Sequence, residues 1–389
     1  MNYILISPYY PKNFQNFAYR LKDAGVHVFG IGEEPYEQLG SKLQKSLSEY
    51  YRVKSLKNLD EVKRAVAFLF FKHGPIDRIE SHNEHWLELD AQLREQFHVY
   101  GNKPADLKKV KLKSEMKKLF RKAGVPVVEG SVVKNKQELT EAVAQLGLPV
   151  IAKPDNGVGS AATFKLSSEE DVHQFEAEWA EKTAYFLEPY IEGGKLCTFD
   201  GLTDQEGNIV FQTSFTYNVP TLELVQEQLD LFYVIQKEIE PKLEAYGKAI
   251  VKTFGMKERF FHIEFFQLET GDYVALEYNN RLAGGYTIDM YNYAYSIDLF
   301  AQYATLVTGG KFKEPDVPNQ FCIGVTQRDA YQYQNDTKAI RDKFGDKVKF
   351  AERMPEAFAH LQGNQFYAIN AETEDEVNQI TRFVHERKK

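Results

Sequence analysis

A chain of 389 residues is long enough for two or three domains of about 100–200 residues each. Its composition, 43% hydrophobic and 27% charged, excludes a largely disordered polymer. With 48 Lys+Arg against 56 Asp+Glu the net charge is −8, so the basic surplus of a nucleic-acid binder is missing. Two cysteines, Cys197 and Cys322, cannot build a disulfide framework or a zinc module and point to a reducing compartment. The longest apolar run, Ala65–Phe71, is far short of the ~20 residues that span a bilayer. The start, Met1–Pro8, has neither the basic nor the long apolar region of a signal peptide. The expectation is a soluble cytoplasmic protein with no nucleic-acid or membrane partner.

The first hundred residues alternate strand and helix patterns. Tyr3–Ile6 reads as a strand, about Phe14–Ala24 as a helix closed by Gly25, and Val26–Ile31 as the next strand. Helices follow over about Asn58–Phe71 and Glu84–Phe97. This rhythm predicts a doubly wound parallel sheet. Gly101–Pro104 marks a boundary, so the first domain is expected over 1–105. A basic helix with Met116, Leu119, Phe120 and Ala123 at helical spacing stops at Gly124-Val125-Pro126. Apart from Lys113, its lysines read as a solvated face. A strand is expected at Val127-Val128, then a helix capped by Asn135 and Glu138 that buries Leu139, Ala142, Val143 and Leu146. After Gly309-Gly310 the chain reads as a small α+β unit over 311–389, ending in a helix announced by Thr373 and Glu376.

Between these lies the first segment that suggests chemistry. Pro149–Lys153 reads as a strand running into Gly157-Val158-Gly159-Ser160. The glycines match part of a dinucleotide fingerprint, but that requires a helix at the second glycine. Here Thr163–Leu166 reads as a strand, and a helix opens only at Ser167 with Glu170. The segment is therefore expected to be a hairpin whose glycine-rich tip can approach a phosphate chain beside Lys153.

The second segment runs from Phe260 to Asn279 and is expected to be another hairpin, turning at Thr270-Gly271. Counting outward from a two-residue turn sets Glu264 opposite Glu277 and His262 opposite Asn279. Period-two alternation puts all four on one face and Ile263, Phe265, Val274, Leu276 and Tyr278 on the core face. Facing carboxylates repel, and a cation between them reverses the sign. Glu264, Glu277 and Asn279 together make a set of oxygen ligands suited to Mg²⁺. Arg281, followed by Gly284 and Gly285, lies beside this set and could clamp a phosphoryl or carboxylate group. In the first domain, Ser81–Trp86 ends a presumed strand, where loops face ligands. Glu84 or His82 is a candidate contact for a substrate amine, with Asn83 as a helix cap. His82, Glu84 and His85 give no complete zinc set. Tyr286, Tyr291, Tyr293 and Tyr295 read mostly as core.

In this order and spacing the motifs resemble the ATP-grasp superfamily over nearly the whole chain. The resemblance rests on Lys113, on Val150–Pro154 with its glycine-rich loop, on Glu188-Pro189-Tyr190-Ile191-Glu192-Gly193, on His262-Ile263-Glu264, and on Glu277–Arg281. Within the superfamily it is similar to the carboxylate–amine ligases that join amino acids. The fold so implied is α/β and α+β: a Rossmann-like first domain, an ATP-grasp domain over 106–310 with a lid at about 126–190, and a C-terminal α+β subdomain.

The resemblance also implies roles. Lys113 and Lys153 would contact ATP phosphates, with Gly157, Val158, Gly159 and Ser160 on the closing loop. Glu188, Pro189, Tyr190 and Ile191 would form the hinge beside adenine, with backbone groups at 188 and 191 reading the base. Glu264, Glu277 and Asn279 would hold Mg²⁺, usually two ions and replaceable by Mn²⁺, and Arg281 would steady the transferred phosphate. His262, Glu84, Gly284 and Gly285 would face the substrates. Two positions depart from the family pattern. Lys195 stands where a ribose-binding acid is common, with Glu192 nearby as a substitute, and Asn280 replaces the usual proline before Arg281.

The activity implied is ligation of a small-molecule carboxylate to an amine through an acyl phosphate, with ADP and phosphate released. A homodimer is compatible with the family. Other readings are a purine-pathway ligase or bicarbonate-activating carboxylase of the same fold, and a non-catalytic ATP-binding sensor.

Overall fold

A computed structural model describes residues 1–157, 162–219, 224 and 227–388. The first sheet is parallel, with strands β1 (Asn2–Ile6), β2 (His27–Gly32), β3 (Glu49–Arg52) and β4 (Arg78–Glu80) in the order β3-β2-β1-β4. Tyr3, Ile4, Leu5 and Ile6 are all buried, as expected of a parallel strand covered on both faces. Helices Gln15–Asp23, Leu59–His73 and Leu87–Gln96 follow in sequence. Asn58 caps the second by accepting the Glu61 N–H. The strand β3 and the short helix Ser41–Ser46 give too little apolar pattern to be read from sequence.

The second sheet is small and antiparallel: β5 (Ser131–Val133), β6 (Val150–Pro154), β7 (Phe164–Leu166) and β8 (Tyr185–Pro189), in the order β5-β8-β6-β7. Val127, expected in a strand, makes only an isolated bridge to Ala275, and the strand comes at β5 instead. Asn135 caps the helix Lys136–Leu146 by accepting the Glu138 N–H at 2.9 Å. The helix after β7 starts one residue later than expected. Ser168 and Asp171 form its capping box, so Glu169–Trp179 is helical. The tip of the β6–β7 hairpin, including Val158, Gly159 and Ser160, lies outside the described residues.

The third sheet holds nine strands among the described residues: β9 (Lys195–Thr203), β10 (Ile209–Thr213), β11 (Phe215–Tyr217), β12 (Phe232–Ile235), β13 (Arg259–Gln267), β14 (Tyr273–Asn279), β15 (Phe321–Gln327), β16 (Val348–Arg353) and β17 (Gln365–Ala371). Its path is β14-β13-β9-β11-β12-β15-β17-β16, with β10 also paired to β9. Residues 311–389 thus add three strands to this sheet rather than building one of their own. The last helix, Glu374–His385, is capped by Thr373 and buries Val377, Ile380 and Val384. No helix among the described residues is long and apolar enough to cross a membrane.

Candidate functional site

The site grows from the β13–β14 hairpin. Glu264 stands opposite Glu277 and His262 opposite Asn279. The turn is not the expected two-residue loop. The Leu268 N–H donates to the Asp272 oxygen at 2.7 Å, which leaves Glu269-Thr270-Gly271 as the loop. Gly271 closes it at φ +81°, in the left-handed region where glycine carries no Cβ penalty. That turn alone would put Glu264 out of step with Glu277. A bulge past the Glu264–Phe265 step, where Phe265 pairs with Ala275 and Glu264 with Glu277, absorbs Leu276 and restores the register. The bulge also changes the core face. Tyr273 and Ala275 join Ile263, Phe265 and Tyr278 in the core cluster; Leu276 is buried as expected, and Val274 is only half-buried.

Cationic groups surround the carboxylates. Lys113 opens the helix Lys113–Lys122, is 2% exposed, and brings Nζ to 3.4 Å from Glu277 Oε1. The same ammonium donates to the Gly157 carbonyl at 3.1 Å, linking the hairpin lid to the large sheet. Lys153, on β6, pairs with Glu188 on β8. Burial works against its charge, but Glu188, Glu277 and Glu264 outweigh that and hold its pKa above the usual lysine value. Glu188 lies between Lys153 and Lys117, whose Nζ is 2.8 Å from Glu188 Oε2. Burial would raise the Glu188 pKa, yet the two lysines bring it down to about 2. The sequence reading gave Glu188 only a backbone role and Lys117 a solvated one. The structure corrects the second, since Lys117 is 1% exposed, and adds to the first a side chain shared by two lysines. The signal was present, because Lys113, Met116, Lys117 and Phe120 form the i, i+3, i+4, i+7 buried stripe of one helix.

On the other side, Arg281 donates from Nε to Glu84 Oε2 at 3.0 Å and from Nη2 to Asn279 Oδ1 at 3.2 Å. Glu84, in the loop after β4, is thus brought from the first sheet to the site. His82 is not: it stacks on Phe17 at 3.8 Å, and burial pushes its pKa down to about 3. Asn83 caps the next turn by accepting the His85 N–H. No group of three His, Cys, Asp or Glu side chains with metal-site geometry occurs among the described residues.

His262 is held from behind. Its Nδ1 is 2.5 Å from Asp200 Oδ1 on β9, and its Nε2 is 3.1 Å from Glu264 Oε1. Thr198 Oγ1 donates to the other Asp200 oxygen. Burial opposes the imidazolium, but Asp200 and Glu264 dominate and raise its pKa to about 9. The same imidazole, with Arg281 and Lys153, outweighs desolvation and holds the half-buried Glu264 below the usual carboxylate range. Sequence reasoning missed Asp200, although Thr198 and Asp200 alternate with buried Cys197 and Phe199.

Other expected residues sit apart from this cluster. Glu192 and Lys195 are exposed, and Lys195 lines an open cleft of about 350 Å³ with Tyr190, Ile191, Leu196 and Tyr217. The Tyr190 N–H donates to the Pro149 carbonyl, tying the end of β8 to the start of β6. Gly284 is exposed, and the Gly285 carbonyl accepts from Asn13 at 3.2 Å. Tyr291 and Tyr295 are buried in the core as expected.

Residues 146–289 match the family model of the ATP-grasp domain. A curated relative, the C-terminal section of the carbamoyl phosphate synthase large chain of Methanopyrus kandleri, is 29% identical over 115 residues. That stretch is 29% of this chain and spans 21% of the length of the relative. Among solved structures, L-amino acid ligase from Bacillus licheniformis superposes with a TM-score of 0.75 at 13% identity, covering 98% of this chain and 96% of that one. An ADP complex of N5-carboxyaminoimidazole ribonucleotide synthetase gives 0.74 at 16% identity, with 99% and 96% covered. The biotin carboxylase domain of Hydrogenobacter thermophilus 2-oxoglutarate carboxylase, with MgADP and bicarbonate, gives 0.74 at 18%, with 98% and 89% covered. This chain has the ATP-grasp fold and carries an ATP-grasp domain.

Proposed function

We propose that the protein is an ATP-dependent ligase that joins a small carboxylic acid to an amine, with amino-acid-like substrates first in line. The carrying observation is one constellation: two facing carboxylates, Glu264 and Glu277, bounded by Lys113, Lys153 and Arg281. Such a set neutralises and positions a chain of phosphates, which is what phosphoryl transfer needs. A thiol nucleophile has no support: Cys197 is buried and its pKa is pushed up to about 12.

The donors Glu264, Glu277 and Asn279 fit a divalent ion, because they are hard oxygen ligands and the two carboxylates repel until a cation joins them. Bound there, Mg²⁺ supplies charge neutralisation at the phosphoryl oxygens. Lys113 and Lys153 hold the phosphates under the small antiparallel sheet. Residues 188–191 form the hinge beside adenine, with the cleft at Lys195 for the sugar. A substrate carboxylate oxygen attacks the γ-phosphorus, and ADP leaves. The amine then attacks the acyl carbon of the mixed anhydride, phosphate departs, and the nitrogen loses a proton. Arg281 steadies the phosphoryl group, while Glu84 fixes the guanidinium and offers a carboxylate to an incoming amine. His262, whose Nε2 is 3.1 Å from Glu264 Oε1, holds that carboxylate in place beside them. Exclusion of water from the acyl phosphate would fall to the lid subdomain.

The likeness to a bicarbonate-bound carboxylase domain supports a second reading, in which bicarbonate is the acid and carboxyphosphate the anhydride. One experiment separates these. ADP and phosphate release is measured with Mg-ATP while pools of amino acids, other carboxylates, bicarbonate and amines are added, with Glu277→Gln as control. Release that needs both an acid and an amine, and is lost in the control, supports the ligase. Release with bicarbonate alone favours the carboxylase. Nucleotide binding without turnover in any pool favours a sensor.

A further inference from the structure

We propose that Lys117 is a positioning residue for nucleotide binding: it shares the Glu188 carboxylate with Lys153, so that Lys153 keeps charge and donors for a phosphate. The inference rests on the reading above that Lys153 meets a phosphate of ATP.

The geometry comes from four elements. Lys117 lies one turn beyond Lys113 on the helix Lys113–Lys122 and is almost wholly buried. Its Nζ is 2.8 Å from Glu188 Oε2 on β8 and donates to the Ala275 carbonyl of β14 at 3.3 Å. Lys153, on β6, takes the other oxygen, Glu188 Oε1. One carboxylate is therefore bridged by two ammonium groups, one charge against two. The surplus of one positive charge is buried beside Glu264 and Glu277, where solvent screens little.

The sign of the effect follows from that count. With Lys117 present, Glu188 is neutralised twice over, and an ammonium with three donors has two left after its bond to Glu188. Remove Lys117 and Glu188 becomes a buried anion with a single counterion. Lys153 is then fully committed to it, and the net charge facing the phosphates falls by one. Burial and the neighbouring Lys153 both oppose charge on Lys117, and its pKa lies below the usual lysine value. A side chain serving only to tie a helix to a sheet could do so without a buried charge.

The test uses the full chain and three probes, adenosine, ADP and ATP with Mg²⁺, measured by calorimetric competition. For Lys117→Met we expect ADP and ATP to bind at least tenfold more weakly, with adenosine within twofold of wild type. Lys117→Arg should recover most of the affinity. The double variant Lys117→Met/Glu188→Gln restores the surplus charge and should bind ATP more tightly than Lys117→Met alone. Lys117→Gln carries the same comparison should methionine unfold the chain. Equal loss for adenosine and ATP, unchanged ATP binding, or a double variant weaker than the single one would each overturn the inference while leaving the ATP reading intact. Wild-type protein that binds none of the three probes would remove both.

Discussion

Glu264 and Glu277 face each other across β13 and β14, each beside a different cation: His262 Nε2 at 3.1 Å for the first, Lys113 Nζ at 3.4 Å for the second. The pair is thus tolerable without a metal and still provides two carboxylates to one. Glu277→Gln should leave metal-free stability within about 1 kcal/mol of wild type, since it removes one repulsion and one attraction. The rise in Tm produced by Mg²⁺ with ADP should disappear, because the ion loses a charged ligand. Thermal melts with and without MgADP check both halves. A Tm rise equal to that of wild type would remove Glu277 from the ligand set.

Asp200 gives the site a pH signature. A histidine with a raised folded pKa stabilises the fold fully below its unfolded value near 6.5, and that stability is lost as pH rises through the folded value. For His262 the window runs from about 6.5 to about 9. The full contribution is at most about 3–4 kcal/mol for a shift of this size. Urea unfolding in EDTA at pH 6 and pH 9.5 should show wild type losing more stability than Asp200→Asn. Equal losses would mean that His262 is not held charged by Asp200.

How much of this was legible in the sequence depended on how locally each feature is encoded. Helix caps at Asn135 and Thr373 were readable because a side chain and an N–H three residues on settle them. The facing of Glu264 and Glu277 was also read, though through two errors that cancel. A two-residue turn was assumed where the loop has three residues, and the bulge that absorbs Leu276 corrects the count. Bulges leave little trace in a single sequence, so the entry of Tyr273 and Ala275 into the core in place of Val274 was not foreseeable. Lys117 and Asp200 were missed for another reason. Each is a charged residue at a core position, where composition argues for solvent and only the partner on another strand explains the burial.

Glu84 and Arg281 connect the first sheet to the chemistry. Their contact at 3.0 Å fixes the guanidinium from a loop almost two hundred residues away in the chain, about 200 by position. Glu84→Gln keeps a hydrogen-bond acceptor but removes the charge, so Arg281 should be positioned less firmly. On the proposed reaction, kcat should fall by about tenfold or more while affinity for MgADP stays within twofold. An unchanged kcat with a weakened nucleotide affinity would place Glu84 in nucleotide binding instead.

The register of that loop against the hairpin is set by a second contact, buried deeper. Arg259, the first residue of β13, pairs with Glu80 at the end of β4, and Arg94 reaches the same Glu80 oxygen at 2.7 Å. Arg94 also donates to the Ile79 carbonyl at 2.9 Å, so its charge is anchored to the strand it supports. All three side chains are buried. Replacing the pair by apolar groups can be nearly neutral, but removing one partner leaves charge without compensation. Arg259→Met should therefore destabilise the chain, by less than the full ~3–5 kcal/mol of a broken buried pair because Arg94 still answers Glu80. The double variant Arg259→Met/Glu80→Gln leaves Arg94 beside Asp90, whose pKa burial pushes up to about 7 and which lies 3.8 Å away. In wild type the raised folded pKa of Asp90 makes stability fall as pH rises toward about 7; in the double variant that carboxyl would be drawn toward its charged form, so stability should depend less steeply on pH between 6 and 8 than in wild type. Urea unfolding across that range checks the coupling: parallel curves for wild type and double variant would show that Asp90 does not answer for Arg94.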